Sequence, residues 1–235
     1  MSIGIGIIGI FGQMGQRIFH LLQKDPRFHL VGGYTKRKEN SLSLPIYPLS
    51  TLIQKSDIII DFSHPSTLPS LIEEAIIHTK PLVIGTTGYK KEEFSLLEQA
   101  SQKIPILYSP NFSLGIAICK KIGEEIASLF GKDICVDIVD IHHSRKKDAP
   151  SGTALALKER IDKKISKKAS IASFRSGSIV GEHILYFTTE EERITLKHEA
   201  QNRDLFAKGA LEAALFLKEK KPALYSLEDV LEEKK

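Results

Sequence analysis

In "DIHHSRKKDAPSGTAL", residues 140–155, two imidazoles, an ammonium group and a helix start stand close together in the chain. Side chains of a strand alternate faces, so His142 and His143 cannot both point the same way while the strand stays regular. Asp140 shares a face with His142, where a carboxylate would orient the ring or favour its protonated form. Neighbouring histidines can ligate a metal, but no third or fourth ligand stands at a sensible spacing, so none is expected. A proton-donor role for one of the two is the sharper reading. Ser151, Gly152 and Thr153 follow Pro150 into a helix. They read either as an ordinary N-cap or as a carboxylate site built from backbone N–H groups, hydroxyls and the helix dipole. Lys146 adds a positive charge or a proton. Together these groups suit reduction of an anionic substrate with proton delivery.

A second stretch, "IGIIGIFGQMGQRI" at residues 5–18, sets Gly9, Gly12 and Gly15 at even spacing behind an apolar run. The pattern G-x-x-G-x-x-G is one residue looser than the dinucleotide fingerprint G-x-G-x-x-G. Gly12 permits close backbone approach to a pyrophosphate and Gly15 close helix–strand contact. The N–H groups at the helix start favour anions. The next strand ends in "YTKRKEN". An acid there would accept the ribose 2′-OH of NADH. Lys36, Arg37 and Lys38 suit a 2′-phosphate instead, which favours NADPH; the alternative is a solvated basic loop. "GTTG" at 85–88 and "SPNF" at 109–112 end later strands on the same edge and could face the ribose or nicotinamide, although either alone would be only a turn.

These groups need a frame. "SIGIGIIGI", "FHLVGGYT", "SDIIIDFS", "PLVIGTTG" and "IPILYSPNFS" read as five strands alternating with helices, which implies a parallel sheet with right-handed crossovers. A helix over 114–130 then leads to the half-buried strand "DICVDIVDIHH" and the helix "ALALKERIDKK". "SIASFRS", "EHILYFTTE" and "RITLKHEA" follow in succession, as in an antiparallel or mixed sheet. The end reads as helical again in "LFAKGALEAALFLKEKK" and, after Pro222, in "YSLEDVL", and these helices are expected to return to the first part.

The 235 residues suffice for one large domain or two small ones, and 42% hydrophobic with 26% charged residues is ordinary for a globular protein. No apolar run is long enough to span a membrane, and the N-terminus lacks the basic leader of a signal peptide, so a cytoplasmic protein is expected. Cys119 and Cys135 form neither a zinc nor a disulfide pattern and are expected to be small buried hydrophobes. Net charge is +4. Trp is absent and no aromatics interleave with the lysines, so anionic small molecules explain the basic clusters better than nucleic acid.

"GIFGQMG", "DFS", "GTTG", "SPNFSLG", "DIHHSRKKDAPSGTAL", "IVGEH" and "KHEAQNRDLFAKGAL" together resemble the dihydrodipicolinate reductase family over nearly the whole chain. The resemblance implies an α/β chain: an N-terminal Rossmann-like parallel sheet over 1–112 plus 206–235, and a second α+β substrate and oligomerisation domain of mixed sheet over 113–205. Hinges between the two and a homotetramer built through the mixed sheet are implied with it. The implied reaction reduces a small cyclic dicarboxylate, 4-hydroxy-tetrahydrodipicolinate, in diaminopimelate and lysine biosynthesis. NADPH or NADH passes hydride to ring C4 as the hydroxyl is lost. His142 matches the family's proton donor and Lys146 its second donor. His143, Gly152 and Thr153, with Ser151 beside them, match substrate-binding positions. Gly9, Ile10, Phe11, Gly12, Gln13 and Met14, then Gly85, Thr86 and Thr87, then Ser109, Pro110, Asn111 and Phe112, match cofactor-binding segments. The chain departs from the family pattern at Lys36, where many members carry an acid, and in a short segment between strands two and three. It also lacks a loop before "FRSGSIVGEH", near the subunit contacts of relatives.

Overall fold

The Ile-rich run at residues 3–8 is buried along its whole length, as a parallel strand covered on both faces must be. The computed structural model describes residues 2–36, 44–131 and 133–233. In chain order its elements are β1 (Ile3–Ile8), α1 (Gln13–Leu22), β2 (Phe28–Tyr34), α2 (Leu49–Lys55), β3 (Ile58–Asp61) and α3 (Leu68–Ile77). Then come β4 (Leu82–Ile84), α4 (Lys91–Ser101), β5 (Pro105–Tyr108), α5 (Leu114–Phe130), β6 (Cys135–His142) and α6 (Gly152–Asp162). β7 (Ser170–Arg175), β8 (Glu182–Thr188), β9 (Arg193–Glu199), α7 (Asp204–Leu217), β10 (Ala223–Tyr225) and α8 (Leu227–Glu232) complete the chain. Two compact units result: Met1–Phe112 with Asp204–Lys235, and Ser113–Arg203. The second boundary falls at Asp204, where α7 begins, two residues before the expected one.

The first unit is a six-stranded sheet in the order β10-β5-β4-β3-β1-β2, parallel throughout. The connection leaves β1 toward β2 on one side and returns to β3 on the other. That reversal opens a crevice at the carboxyl ends of the strands, where such sheets bind ligands. Helix α7 packs against α1 and β3 to β5. Its small residues permit this: a Cβ on Gly209 would fall 1.8 Å from the Phe112 carbonyl oxygen.

Two elements differ from expectation. The sheet has six strands, not five, because β10 forms along β5 in the short stretch between the two expected terminal helical segments. It is a three-residue edge strand without a buried residue, so its pairing comes from its neighbour. The seven-residue α2 buries only Leu52 and Ile53, which is too short a stretch for periodicity to register. The expected basic residues Arg37 and Lys38 lie outside the described residues.

The second unit is the mixed sheet β7-β6-β8-β9. β6 runs parallel to β7 and antiparallel to β8, and β8 antiparallel to β9. Strand alternation turns Val136, Ile138, Asp140 and His142 inward. Val136 and Ile138 join Leu185, Phe187, Cys119, Leu157 and Ile161 in the core with α5 and α6. The opposite face carries Val139, Ile141, Ala172, Phe174, Ile184 and Tyr186, each half-buried or exposed. Cys135 shares that face and is exposed, so only Cys119 is the buried thiol expected of both.

Candidate functional site

At the crevice of the first unit the chain leaves β1 through Gly9, whose φ of +79° lies in the left-handed region. A Cβ there would stand 2.6 Å from the Phe62 carbonyl oxygen, and one on Gly15 2.3 Å from that of Gly9. The Gly12 N–H donates to the Gly9 carbonyl at 2.8 Å. Among the described residues no side chain caps α1, and its first turn holds no acid. This helix start therefore suits an anion. Gly9, Phe11, Gly12, Lys36, Phe62 and Ser63 are among the residues lining a cleft of about 240 Å³ here. Lys36 is exposed, with Nζ 3.4 Å from the Ser66 carbonyl oxygen.

The other expected cofactor residues divide into surface and scaffold. Gln13, Thr87 and Pro110 are exposed, while Gly12, Met14, Gly85 and Asn111 are half-buried. Ile10 is buried, filling the space left by the missing side chains of Gly15 and Gly33. Gly85 seats the Phe62 ring, which a Cβ would approach to 2.2 Å. Phe62 in turn tilts against buried Phe112 with centroids 5.3 Å apart. The buried Thr86 hydroxyl donates to Asp61 Oδ2 at 2.7 Å and accepts from the Ser63 N–H at 2.8 Å. Ser109 Oγ donates to the Asn111 carbonyl at 2.7 Å. Thr86 and Ser109 thus brace the edge with their own hydroxyls. Asp61 is the residue that sequence reasoning missed here. It closes the buried run of β3, and burial pushes its carboxyl up to about 6 despite the hydrogen bonds from Ser63 and Thr86.

In the second unit the register of β6 with β7 and β8 sets Ser173, Asp140 and His183 in one row. Asp140 is fully buried. Its Oδ2 accepts from the Ser151 N–H at 2.9 Å, Ser173 Oγ at 3.1 Å and Arg175 Nη2 at 3.1 Å. Its Oδ1 lies 2.9 Å from His142 Nδ1 and 3.4 Å from His183 Nε2. Burial alone would raise this carboxyl, but His142, His183 and Ser151 hold it far below the ordinary carboxylate range. With Nδ1 turned to Asp140, His142 has its Nε2 beside Gly181, where a Cβ would intrude to 3.0 Å.

His143 does not join this row. Its Nε2 lies 3.4 Å from Arg203. Desolvation, then the charges of Arg203 and Arg145, lower its pKa. Lys146 Nζ pairs with Asp148 at 2.8 Å. The side chain of Ser151 is buried and caps α6 by accepting from the Ala154 N–H at 3.1 Å, as in the N-cap reading of this segment. Gly152 is exposed, and a Cβ there would meet nothing within 4 Å among the described residues. The open part of this helix start is therefore Gly152 with half-buried Thr153. His183, Ser173, Arg175 and Arg203 were not singled out from the sequence. Only the alternation in "EHILYF" hints that His183 faces inward with Leu185 and Phe187.

Comparison with known proteins covers nearly the whole chain. The family model "Dihydrodipicolinate reductase, N-terminus" matches residues 3–112 and "Dihydrodipicolinate reductase, C-terminus" residues 115–231. The 4-hydroxy-tetrahydrodipicolinate reductase of Caldanaerobacter subterraneus subsp. tengcongensis is 39% identical over 251 residues, covering 98% of this chain and 99% of that protein. That of Bdellovibrio bacteriovorus is 38% identical, covering 98% and 96%. The dipicolinate-bound dihydrodipicolinate reductase of Paenisporosarcina sp. TG-14 shares the fold with a TM-score of 0.86 at 24% identity, over 97% of this chain and 99% of that one. Both halves of the family pattern are present, in order and over nearly the whole chain, and the chain belongs to the dihydrodipicolinate reductase family.

Proposed function

We propose that the chain reduces 4-hydroxy-tetrahydrodipicolinate to tetrahydrodipicolinate with a reduced nicotinamide nucleotide, in diaminopimelate and lysine biosynthesis. Hydride goes to ring C4, the hydroxyl leaves as water, and one proton is taken up. His142 supplies that proton through Nε2, because its Nδ1 is held by Asp140; this pair is the observation that carries the reading. Lys146, the family's second donor, is the group from which His142 regains that proton. His143, Gly152 and Thr153 take the substrate carboxylates, and Ser151 builds the helix start that carries them. The glycine turn from Gly9 to Met14 cradles the cofactor pyrophosphate, with 85–87 and 109–112 along the nicotinamide side. The nucleotide, when bound, supplies the hydride. Lys36, with Arg37 after it, favours the 2′-phosphate of NADPH over NADH. On this reading the enzyme is cytoplasmic. Its oligomer is a homotetramer built on the open face of the mixed sheet.

Purified chain with freshly generated substrate is expected to consume NADPH, with kcat/KM at least about ten-fold above that for NADH, the scale of one charged contact to the phosphate. Lys36→Glu with Arg37→Ser should reverse that preference. Binding of NADPH without turnover would refute the reductase reading and leave a nucleotide sensor. Unchanged selectivity in the double variant would put the 2′-phosphate elsewhere.

A further inference from the structure

Asp140, His142 and His183 have a property that proton delivery does not require. All three are buried, and one ligand atom of each lies within 4.8 Å of the others. Two imidazoles and one carboxylate form a donor set for zinc and similar divalent transition metals. A second observation concerns burial and spacing. Asp140 Oδ1 and His142 Nδ1 are closed off from solvent and meet at 2.9 Å, with His183 Nε2 3.4 Å from the same oxygen and 3.3 Å from Ser151 Oγ, so an ion here would take over contacts that these groups now make with one another. The other carboxylate oxygen stays anchored by the Ser151 N–H, Ser173 and Arg175. Such outer contacts hold a ligating carboxylate in place.

We propose that Asp140, His142 and His183 form a site for Zn2+ or a similar divalent transition metal, and that the bound ion inhibits the enzyme. The ion would take Asp140 Oδ1, His142 Nδ1 and His183 Nε2, with water in the fourth position. A ring ligated through Nδ1 is tied to the ion in place of Asp140 Oδ1, the contact that otherwise sets it for catalysis. Inhibition therefore comes from changing the partner of His142, without displacing substrate or nucleotide. Spacing along the sequence offers no third ligand near the histidine pair. Strand register supplies it by bringing His183 across from β8. The ion site goes beyond the reductase reading, and its inhibitory effect rests on that reading.

The test uses the full chain freed of metal with EDTA and titrated with Co2+. A single Co2+ per chain should bind with the visible d–d bands of low coordination number, and Zn2+ should displace it. Turnover should fall with stoichiometric Zn2+ and return with excess EDTA. His183→Gln should weaken Co2+ by about ten-fold or more. His143→Gln, which alters a ring directed at Arg203, should keep the bands. Should the His183 variant fail to fold, anomalous diffraction from Co2+-soaked wild-type crystals locates the ion directly. Absence of bands, bands that survive His183→Gln, or an anomalous peak away from these three residues would overturn the proposal. The titration needs no substrate, so an inactive chain that binds Co2+ here would refute the reductase reading and leave the metal site standing.

Discussion

A buried carboxylate is tolerable only where donors surround it, and Asp140 collects them from three strands and a helix start. Asp140→Ala would leave the Arg175 guanidinium and the Ser151 N–H without their shared acceptor. The expected loss is about 3–5 kcal/mol, the scale of breaking one side of a buried pair, read from urea unfolding. His142→Gln keeps a hydrogen-bonding side chain but removes the acid. Its kcat should fall by about two orders of magnitude with little change in KM; an unaltered kcat would remove His142 from the mechanism. Asp61 works in the opposite sense to Asp140. Its carboxyl titrates at about 6 in the fold against an ordinary 3.8. The folded state thus holds the proton more tightly, so this group favours folding most below about pH 4, and that contribution is lost as pH rises to about 6. The full difference is about 3 kcal/mol. Asp61→Asn should remove this downward slope from unfolding curves recorded across that window, and an unchanged slope would place the proton elsewhere.

Glycines at two helix starts distinguish positions that packing requires from positions it leaves open. Gly15→Ala forces a methyl group to 2.3 Å from the Gly9 carbonyl. It should lower both the melting temperature and NADPH affinity, since the turn and the helix move apart. Gly152→Ala meets nothing and gains helix propensity, so stability should hold or rise by up to about 1 kcal/mol. Calorimetry and nucleotide titration on both variants check the contrast. The same distinction governs what the sequence disclosed. β1, β3 and β4 were legible because two covered faces demand unbroken apolar runs. α5 was legible end to end because seventeen residues give periodicity room to show. β10 carries no such run, for its place is decided by β5 alongside. The glycine turn and the Asp140–His142 pair are local and could be read directly. His183 and the link from Asp61 to Thr86 depend on which strands become neighbours, and no local spacing encodes that.

At the scale of the molecule, the mixed sheet covers one face with α5 and α6 and presents the other with Phe174 55% exposed. Val139, Ile141, Ile184 and Tyr186 continue that surface, which a second copy of the chain would bury on the tetramer reading. Phe174→Glu places a charge in its middle. Light scattering should then report a smaller species with unchanged far-ultraviolet circular dichroism; an unchanged mass would mean that subunits associate through another surface.

The split of the first unit around the second has a consequence for synthesis on the ribosome. Residues 113–203 form a contiguous segment that can close once it has left the exit tunnel. The unit begun earlier still waits for α7 and β10 to cover and extend its sheet. The part translated second is thus the part free to finish first, and until β10 emerges the nascent dinucleotide fold carries an unpaired edge along β5.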